Sequence, residues 1–437
     1  MPSVMEDLPL HRYALLVPSG LEREAALLVR KAARSSDVDL GDAELRFARP
    51  PACVQGGALG QAGAHSALLL ESAAPLPAAI LGCSCVATAL ALVAHGEVLT
   101  EAAASAAALV DGFLERPALA AALATLRAHA GAAPPAGSAA PTTTTTTTTT
   151  FRVATVRGGL HAAEVTSCAV SSAVADEIVD RARPGSAFAS WRADLEAPQI
   201  HVLCILAQAS LLVGMVLPPF RPHRSRAVPE TPRAWLPDRS RPHMDPSRAA
   251  ALVELARIAP GEVFLDPCGG IGTLAIEAVS AVPTLRCAIS LDLDEAASAA
   301  CVANASRAAA AATTATAAVE ARVGDACATG LAPNSVDVVL CDLPFGRRHV
   351  RLDVGAVLRE LWRVVRVGGR AVLVFADVKK FRRAAGRNGT WDVEAVVPFA
   401  SGGIPVAAFV LRRLKSSKSG PRKELRCASW SGREERN

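Results

Sequence analysis

The chain of 437 residues has few charged side chains, no long strongly apolar run and no cysteine pairs with metal-ligand spacing. Charged residues make up 20% of the sequence and hydrophobic residues 51%, a balance that excludes disorder as the dominant state. A helix that spans a bilayer needs roughly 20 strongly apolar residues. The longest charge-free stretch, residues 77–94, is instead rich in Ala, Cys, Ser and Thr, so we expect a buried helix there and no membrane segment.

The eleven cysteines are scattered along the chain. Cys83 and Cys85 are one residue apart, which is not the spacing of a zinc knuckle, and no second pair follows them. The first twelve residues contain Glu6 and Asp7 and no apolar core, so we expect no secretory signal. Buried free thiols, no structural metal and a location in the cytosol or nucleus are therefore expected.

The formal net charge of +5 is concentrated in two places. Arginines crowd a Pro-rich stretch at residues 220–243, and arginines and lysines crowd residues 412–426. Such clusters suit contacts with phosphates. A solubilising linker and a disordered tail would give the same pattern, so both interpretations stay open.

Composition shifts divide the chain into segments. The threonine run at residues 142–150 follows Ala-, Gly- and Pro-rich sequence and indicates a flexible linker, because it has no periodic apolar face. Strand and helix patterns on both sides of it indicate two small α+β domains. The predicted segments are an N-terminal domain at 8–127, a linker at 128–150, a second domain at 151–219, a basic Pro-rich connector at 220–243, a third domain at 244–414 and a basic disordered tail at 415–437.

The third domain alternates strands and helices, which predicts a parallel, doubly wound sheet. Ligands of such sheets bind past the carboxyl ends of the strands. Asp266, Asp292, Asp325 and Asp342 all fall at or near predicted strand ends. Four carboxylates at successive crossovers predict a shared cleft.

A glycine turn follows the first of these strands, in the sequence Asp-Pro-Cys-Gly-Gly-Ile-Gly-Thr that starts at Asp266. Gly270 and Gly272 would let the backbone approach a ligand and expose N–H groups at a helix N-terminus. The turn also fits a relaxed dinucleotide fingerprint. Its Asp-Pro start favours S-adenosylmethionine (SAM), with Asp266 binding the amino-acid end, Asp292 the ribose hydroxyls and Asp325 the adenine amine.

The sequence Asp342-Leu343-Pro344-Phe345 ends a later strand and predicts the catalytic site. An exocyclic amine on a purine is a poor nucleophile, because its lone pair is delocalised into the ring. The Asp342 carboxylate and the Leu343 carbonyl could accept its hydrogens and aim the lone pair at a methyl group. Pro344 would fix the turn and Phe345 would stack on the base. Together with the glycine turn, this predicts methyl transfer to an amino nitrogen of a base.

These residues resemble a known family, the THUMP-domain RNA guanine-N2 methyltransferases. The resemblance is carried by Ser19-Gly20-Leu21-Glu22, by Trp191-Arg192-Ala193-Asp194-Leu195, by the glycine turn and, most specifically, by residues 335–348. The last of these stretches is most similar to the animal THUMP-domain-containing protein 2 and 3 group. Two positions depart from the family pattern: Gly269 stands where cysteine is usual, and Asp245 stands where arginine is usual.

The resemblance implies a Rossmann-like SAM-dependent methyltransferase domain preceded by ferredoxin-like and THUMP domains. It also implies formation of N2-methylguanosine in structured RNA, usually tRNA, and a small zinc-containing activator subunit as partner. Four alternatives stay open: the same chemistry on a spliceosomal small nuclear RNA, an adenine-N6 or glutamine-N5 amino methyltransferase, an RNA-binding protein with a vestigial methyltransferase domain, and a nicotinamide oxidoreductase.

Overall fold

The computed structural model describes residues 11–36, 46–48, 65–72, 74–81, 83–97, 106–110, 114, 116–130, 148–158, 165–180, 190–207, 210–218, 220, 233, 235–236, 243–312, 316–344, 352–388, 391–401 and 404–414. The chain divides into two compact units, Met1–Pro232 and Arg233–Asn437, called unit 1 and unit 2 below. Among the described residues, no helix is both long enough and apolar enough to cross a membrane.

Unit 1 is built around one eight-stranded sheet. Its elements in chain order are β1 (His11–Pro18), α1 (Glu22–Arg34), β2 (Arg46–Ala48), β3 (His65–Ser72), α2 (Ala78–Leu81), β4 (Thr88–Glu97), α3 (Ala106–Val110), α4 (Arg116–Ala130), β5 (Thr149–Gly158), α5 (Ser167–Asp180), β6 (Trp191–Ala193), β7 (Ile200–Ala207) and β8 (Ser210–Val216). The strand order is β2-β3-β1-β4-β8-β7-β5-β6. Strands from before and after the threonine run thus lie side by side, joined by antiparallel pairing of β4 with β8. The predicted domain boundaries within unit 1 stay a prediction.

The buried helix expected at residues 77–94 is wrong. Only the four-residue helix α2 forms there, and β4 occupies the second half of the stretch. β4 is a central strand, paired with β1 on one edge and with β8 on the other, and residues 88–93 are buried. Alanine favours helix over strand by only a fraction of a kcal/mol per residue. Two ladders of backbone hydrogen bonds and burial on both faces outweigh that preference.

Unit 2 is a seven-stranded sheet with five helices among its described residues. Its elements are α6 (Pro246–Ala256), β9 (Val263–Asp266), α7 (Thr273–Ala281), β10 (Cys287–Asp292), α8 (Glu295–Ala311), β11 (Val319–Val323), β12 (Val336–Asp342), α9 (Val354–Val364), β13 (Val365–Phe375), α10 (Val378–Asn388), β14 (Trp391–Ser401) and β15 (Ile404–Arg413). The strand order is β11-β10-β9-β12-β13-β15-β14. β9 to β13 are parallel, and β14 and β15 are antiparallel additions at one edge.

This topology confirms the predicted doubly wound α/β sheet. The strands read as near-continuous apolar runs, such as β12, because parallel strands are buried on both faces. A glycine pair often marks the end of a helix, but α9 already ends at Val364, and Gly368 and Gly369 both lie inside β13.

Candidate active site

The site lies where the strand order of unit 2 reverses. From β9 the chain moves outward through β10 to β11, and then returns to the other side of β9 with β12 and β13. In a doubly wound sheet, the crevice at this switch point is where ligands bind, past the carboxyl ends of the strands. Asp266 ends β9 and Asp342 ends β12, so the two strands that flank the switch point each end in a carboxylate.

Asp266 is almost completely buried, with 1% of its surface exposed. Its Oδ1 accepts a hydrogen bond from the backbone N–H of Cys268 at 3.2 Å. The pKa of Asp266 is raised to about 8, mainly by burial and to a smaller extent by the nearby charges of Asp342 and Asp292. All three residues end parallel strands, so the fold gathers them at one edge of the sheet.

The glycine turn uses its own N–H groups inside the protein. Gly269 N–H donates to the Leu291 carbonyl at 2.7 Å, Gly270 N–H to Asp292 Oδ2 at 2.8 Å, and Gly272 N–H to the Gly269 carbonyl at 2.9 Å. The expectation that Gly270 and Gly272 expose free N–H groups is therefore wrong for this structure. The backbone of Gly270 and Gly272 is left-handed, with φ of +54° and +90°, a conformation that residues other than glycine rarely adopt.

Close packing explains two of these glycines. A Cβ added at Gly272 would lie 2.4 Å from Cys301 Sγ. A Cβ added at Gly269 would lie 2.0 Å from Ser290 Oγ, so no cysteine fits at this position in this chain. At Gly270 an added Cβ would meet nothing within 4 Å, which leaves open space on that side of the turn.

Asp292 and Asp325 lie at the next two strand ends. Asp292 ends β10. Its Oδ1 accepts a hydrogen bond from the Asp294 N–H at 2.9 Å, and its Oδ2 accepts one from the Gly270 N–H. Asp325 follows β11, is exposed, and accepts from the Cys327 N–H at 2.8 Å. The Gly324 N–H donates to the Asp292 carbonyl at 3.0 Å, which joins these two strand ends.

Asp342 keeps part of its surface exposed, but one of its carboxylate oxygens, Oδ1, is buried and has no hydrogen-bond partner among the described residues. Burial raises its pKa to about 7, and the Arg248 guanidinium opposes that rise. Leu343 is fully buried, and its N–H donates to the Val374 carbonyl at 3.1 Å, which fixes the chain where β12 ends. Pro344 follows, and Phe345 lies outside the described residues.

Arg248 is a site residue that the sequence did not reveal. It lies in the first turn of α6, is 5% exposed, and its Nε is buried without a hydrogen-bond partner among the described residues. Asp245 caps this helix by accepting from the N–H groups of Ser247 and Arg248. The one signal for Arg248 was a charged residue inside an otherwise apolar first turn.

The connector before α6 also contributes to the site. Arg233 Nε donates to Glu277 Oε1 on α7 at 2.8 Å; the Glu277 side chain is buried and that of Arg233 is mostly buried. Trp235 and Leu236 pack on Ile271 of the glycine turn and on Ile276 of α7. The end of the connector therefore packs against the glycine turn and α7.

The chemistry of these residues fits SAM. The open space beside Gly270 leaves room for the cofactor. Asp266 at the end of β9, Asp292 at the end of β10 and Asp325 after β11 offer acceptors to the ammonium, hydroxyl and amine groups of SAM. Thr273 Oγ1, which is buried without a partner among the described residues, is a further acceptor. When bound, SAM supplies a methyl group on a sulfonium. Asp342 Oδ1 is a buried acceptor that has no partner among the described residues, so it could accept a hydrogen bond from the second substrate.

Comparison with known proteins agrees with this geometry. Residues 233–403 match the family model described as UPF0020, RMKL-like methyltransferase domain. This match agrees with the predicted Rossmann-like methyltransferase domain and with SAM as its cofactor.

Curated relatives name a narrower class. The chain is 28% identical over 188 residues to the U6 snRNA (guanine-N(2))-methyltransferase THUMPD2 of Bos taurus, which covers 43% of this chain and 34% of that protein. It is 27% identical over 252 residues to the tRNA (guanine(6)-N(2))-methyltransferase THUMP3 of Bos taurus, which covers 54% of this chain and 47% of that protein. These matches confirm the resemblance to the THUMP-domain RNA guanine-N2 methyltransferases. The chain spans one third to one half of the length of these relatives.

Among solved structures, TrmN from Thermus thermophilus superposes with a TM-score of 0.58 at 21% identity, covering 93% of this chain and 100% of that chain. At this identity the likeness shows the fold alone. It confirms the fold class that the alternating strands and helices predicted.

Proposed function

We propose that this protein transfers a methyl group from SAM to the N2 amine of guanine in structured RNA, with tRNA as the substrate. The observation that carries the proposal is the buried Asp342 Oδ1, which has no hydrogen-bond partner in the described part of the chain and lies at the switch point of the sheet. A buried acceptor without a donor costs free energy, so it fits a site that receives its donor from a ligand. A guanine N2 amine supplies two such donors.

The proposed roles of the site residues follow from their positions. Asp292 would accept the ribose hydroxyls of SAM, since each of its oxygens has a second lone pair beyond the backbone N–H that it already holds. Asp325 would accept from the adenine amine and Asp266 would meet the amino-acid end. Gly270 would give the cofactor room rather than a hydrogen bond, and Gly272 would let the turn pack closely against Cys301 of α8.

Asp342 and Leu343 would act on the base. The Asp342 carboxylate and the Leu343 carbonyl would accept the two amine hydrogens, so that the nitrogen lone pair turns out of the ring plane toward the methyl group. The transfer forms an N–C bond and breaks an S–C bond, and the nitrogen then carries an extra proton. The proton can leave to Asp342, whose pKa of about 7 suits an acceptor at neutral pH. Pro344 would hold the turn and Phe345 would stack on the base.

The test is transfer of a tritiated methyl group from SAM to unmodified tRNA transcripts, followed by nuclease digestion and mass spectrometry of the nucleosides. N2-methylguanosine in the digest supports the proposal. Labelled N6-methyladenosine, or label on a glutamine amide of protein, would support the amino methyltransferase alternatives instead. A wild-type protein that binds no SAM in calorimetric titration would support the vestigial domain.

U6 snRNA is a second candidate substrate for the same assay. One relative with 28% identity is named as acting on U6 snRNA, and the chemistry at the amine would be identical. Parallel reactions with a U6 transcript and with tRNA transcripts distinguish the two, and the more rapidly methylated RNA identifies the substrate. Cytosol and nucleus both contain such RNAs, so the compartment stays a prediction.

We also propose that the activator subunit implied by the family resemblance pairs with β11. This strand is at the edge of the sheet, and no described strand pairs with its outer side. Val323 on β11 is 58% exposed and Leu293, after β10, is 73% exposed. Unpaired edges with apolar side chains are typical places for strand addition by a partner. Val323→Pro should abolish co-purification of a small zinc protein from expressing cells, and retained co-purification would exclude this edge.

A further inference from the structure

The helix α10 is strongly basic. Its eleven residues contain Lys379, Lys380, Arg382, Arg383 and Arg387 and no acidic residue. Several other cations of unit 2 are paired with carboxylates. Those pairs are Arg233–Glu277, Arg363–Glu360, Arg366–Asp337, Arg370–Glu262 and Arg412–Glu394.

The exposed cations of α10 form one patch, which we call the α10 face: Lys379, Lys380 and Arg383. The opposite side of the helix is anchored in the core by Phe381, which is fully buried and stacks on Phe409 with ring centroids 3.9 Å apart. The α10 face therefore points away from the core on a firmly held helix.

This arrangement is unfavourable for the helix itself. Lys379 and Arg383 are four residues apart and Lys380 and Arg383 are three apart, so like charges are neighbours on the helix surface. Lys379 and Lys380 lie in the first turn, where the helix dipole is positive. Asp377 before the helix offsets part of this, since its Oδ1 accepts from the Lys380 N–H at 2.8 Å. Lys380 Nζ reaches the Leu352 carbonyl at 3.3 Å, and neither Lys379 nor Arg383 forms an ion pair with a described residue.

The α10 face lies at the edge of the sheet that carries the site. β12 and β13 are parallel, and Asp342 at the end of β12 pairs with Val374 near the end of β13. α10 starts at Val378, three residues after β13 ends. A polyanion held on α10 would therefore lie beside the carboxylate that is proposed to bind the guanine amine.

We propose that the α10 face binds phosphates of the substrate RNA on the strand next to the target guanine. The inference rests on the proposed function for the identity of the polyanion. Cations that repel each other in the free protein and have no acidic partner become favourable when phosphates lie between them. The methyltransferase unit would then hold the RNA backbone by itself, at the catalytic edge.

The test measures binding of a fluorescently labelled tRNA transcript to the full chain, at salt concentrations between 50 and 200 mM. The variants are Arg383→Glu and the double variant Lys379→Glu/Arg383→Glu. For the double variant we expect binding at least about tenfold weaker at the higher salt, and a salt slope smaller in magnitude by about 2. Its melting temperature should be unchanged or higher, because the reversal at residue 383 places a carboxylate three residues from Lys380 and the reversal at residue 379 places one at the positive end of the helix dipole. SAM binding should be unchanged.

Arg257→Glu is the matched control for Arg383→Glu. Arg257 is exposed at the end of α6, on the chain that leads to the opposite, amino edge of β9. The inference is overturned if both single variants weaken RNA binding equally, or if the double variant binds like wild type. Lys379→Gln/Arg383→Gln, a milder change, must lower the salt slope in the same direction. If wild type binds RNA without methylating it, the proposed function fails and the binding comparison still decides the role of α10.

Discussion

Replacing Asp342 by asparagine should stabilise the protein at neutral pH while removing its activity. The substitution keeps the shape of the side chain and removes its charge. At about 1.4 kcal/mol for each pH unit between the ordinary pKa of 3.8 and the value of about 7, the ionised carboxylate destabilises the fold by at most about 4 kcal/mol. This cost appears as pH rises from about 4 to 7, because the unfolded chain releases the proton first. It is absent below about pH 4, where the carboxyl group is protonated in both the folded and the unfolded chain.

The assay is the melting temperature of the ligand-free wild type and of Asp342→Asn from pH 4.5 to pH 8.5. For a domain of this size, 1 kcal/mol corresponds to roughly 2–4 °C. We expect the variant to melt higher at pH 8 and the difference to shrink toward pH 4.5. Methyl transfer by the variant should fall by a factor of about 10² or more, because one aimed acceptor is lost.

A matched control is Asp392→Asn, which removes an exposed carboxylate from β14. It should change neither the melting profile nor methyl transfer. Equal melting temperatures of wild type and Asp342→Asn at pH 8 would refute the claim that this carboxylate is held ionised at a cost. Undiminished methylation by Asp342→Asn would refute its role in the reaction.

Three further substitutions test the surroundings of Asp342 and of the glycine turn. Arg248→Met removes the cation that lowers the pKa of Asp342, so the rise of methylation rate with pH should move to higher pH; an unchanged profile between pH 6 and pH 9 would exclude this role. Gly272→Ala puts a Cβ 2.4 Å from Cys301 Sγ and should weaken SAM binding in calorimetry by about tenfold or more. In the ligand-free protein, Gly270→Ala should lower the free energy of unfolding by only about 1 kcal/mol, because no protein atom lies within 4 Å of the new methyl group; an equal loss of stability for Gly272→Ala would contradict the packing argument.

The acidic strand ends could be predicted because they follow from local pattern alone. A buried apolar run followed by aspartate marks the carboxyl end of a parallel strand, and all such ends meet at one edge. Asp266, Asp292 and Asp342 were placed at strand ends in this way, and the structure brings them together. Asp325 was also expected near a strand end, and it lies two residues after the short strand β11.

The parts that could not be predicted depend on tertiary contacts. Arg248 becomes informative only when α6 is known to bring it near Asp342. β4 is rich in alanine, and its strand conformation comes from the neighbours on its two edges. The hydrogen bonds of the glycine turn could not be predicted from the sequence either. Whether the Gly270 N–H faces a ligand or Asp292 is decided by the path of β10, not by the turn sequence.

A crystal structure of the protein with S-adenosylhomocysteine and a guanosine-containing oligonucleotide would test the central claim most directly. We predict that the guanine N2 lies about 2.7–3.2 Å from a carboxylate oxygen of Asp342 and from the Leu343 carbonyl oxygen, with its free face toward the cofactor sulfur. A guanine bound elsewhere, or an Asp342 carboxylate turned into the core away from the base, would contradict the account.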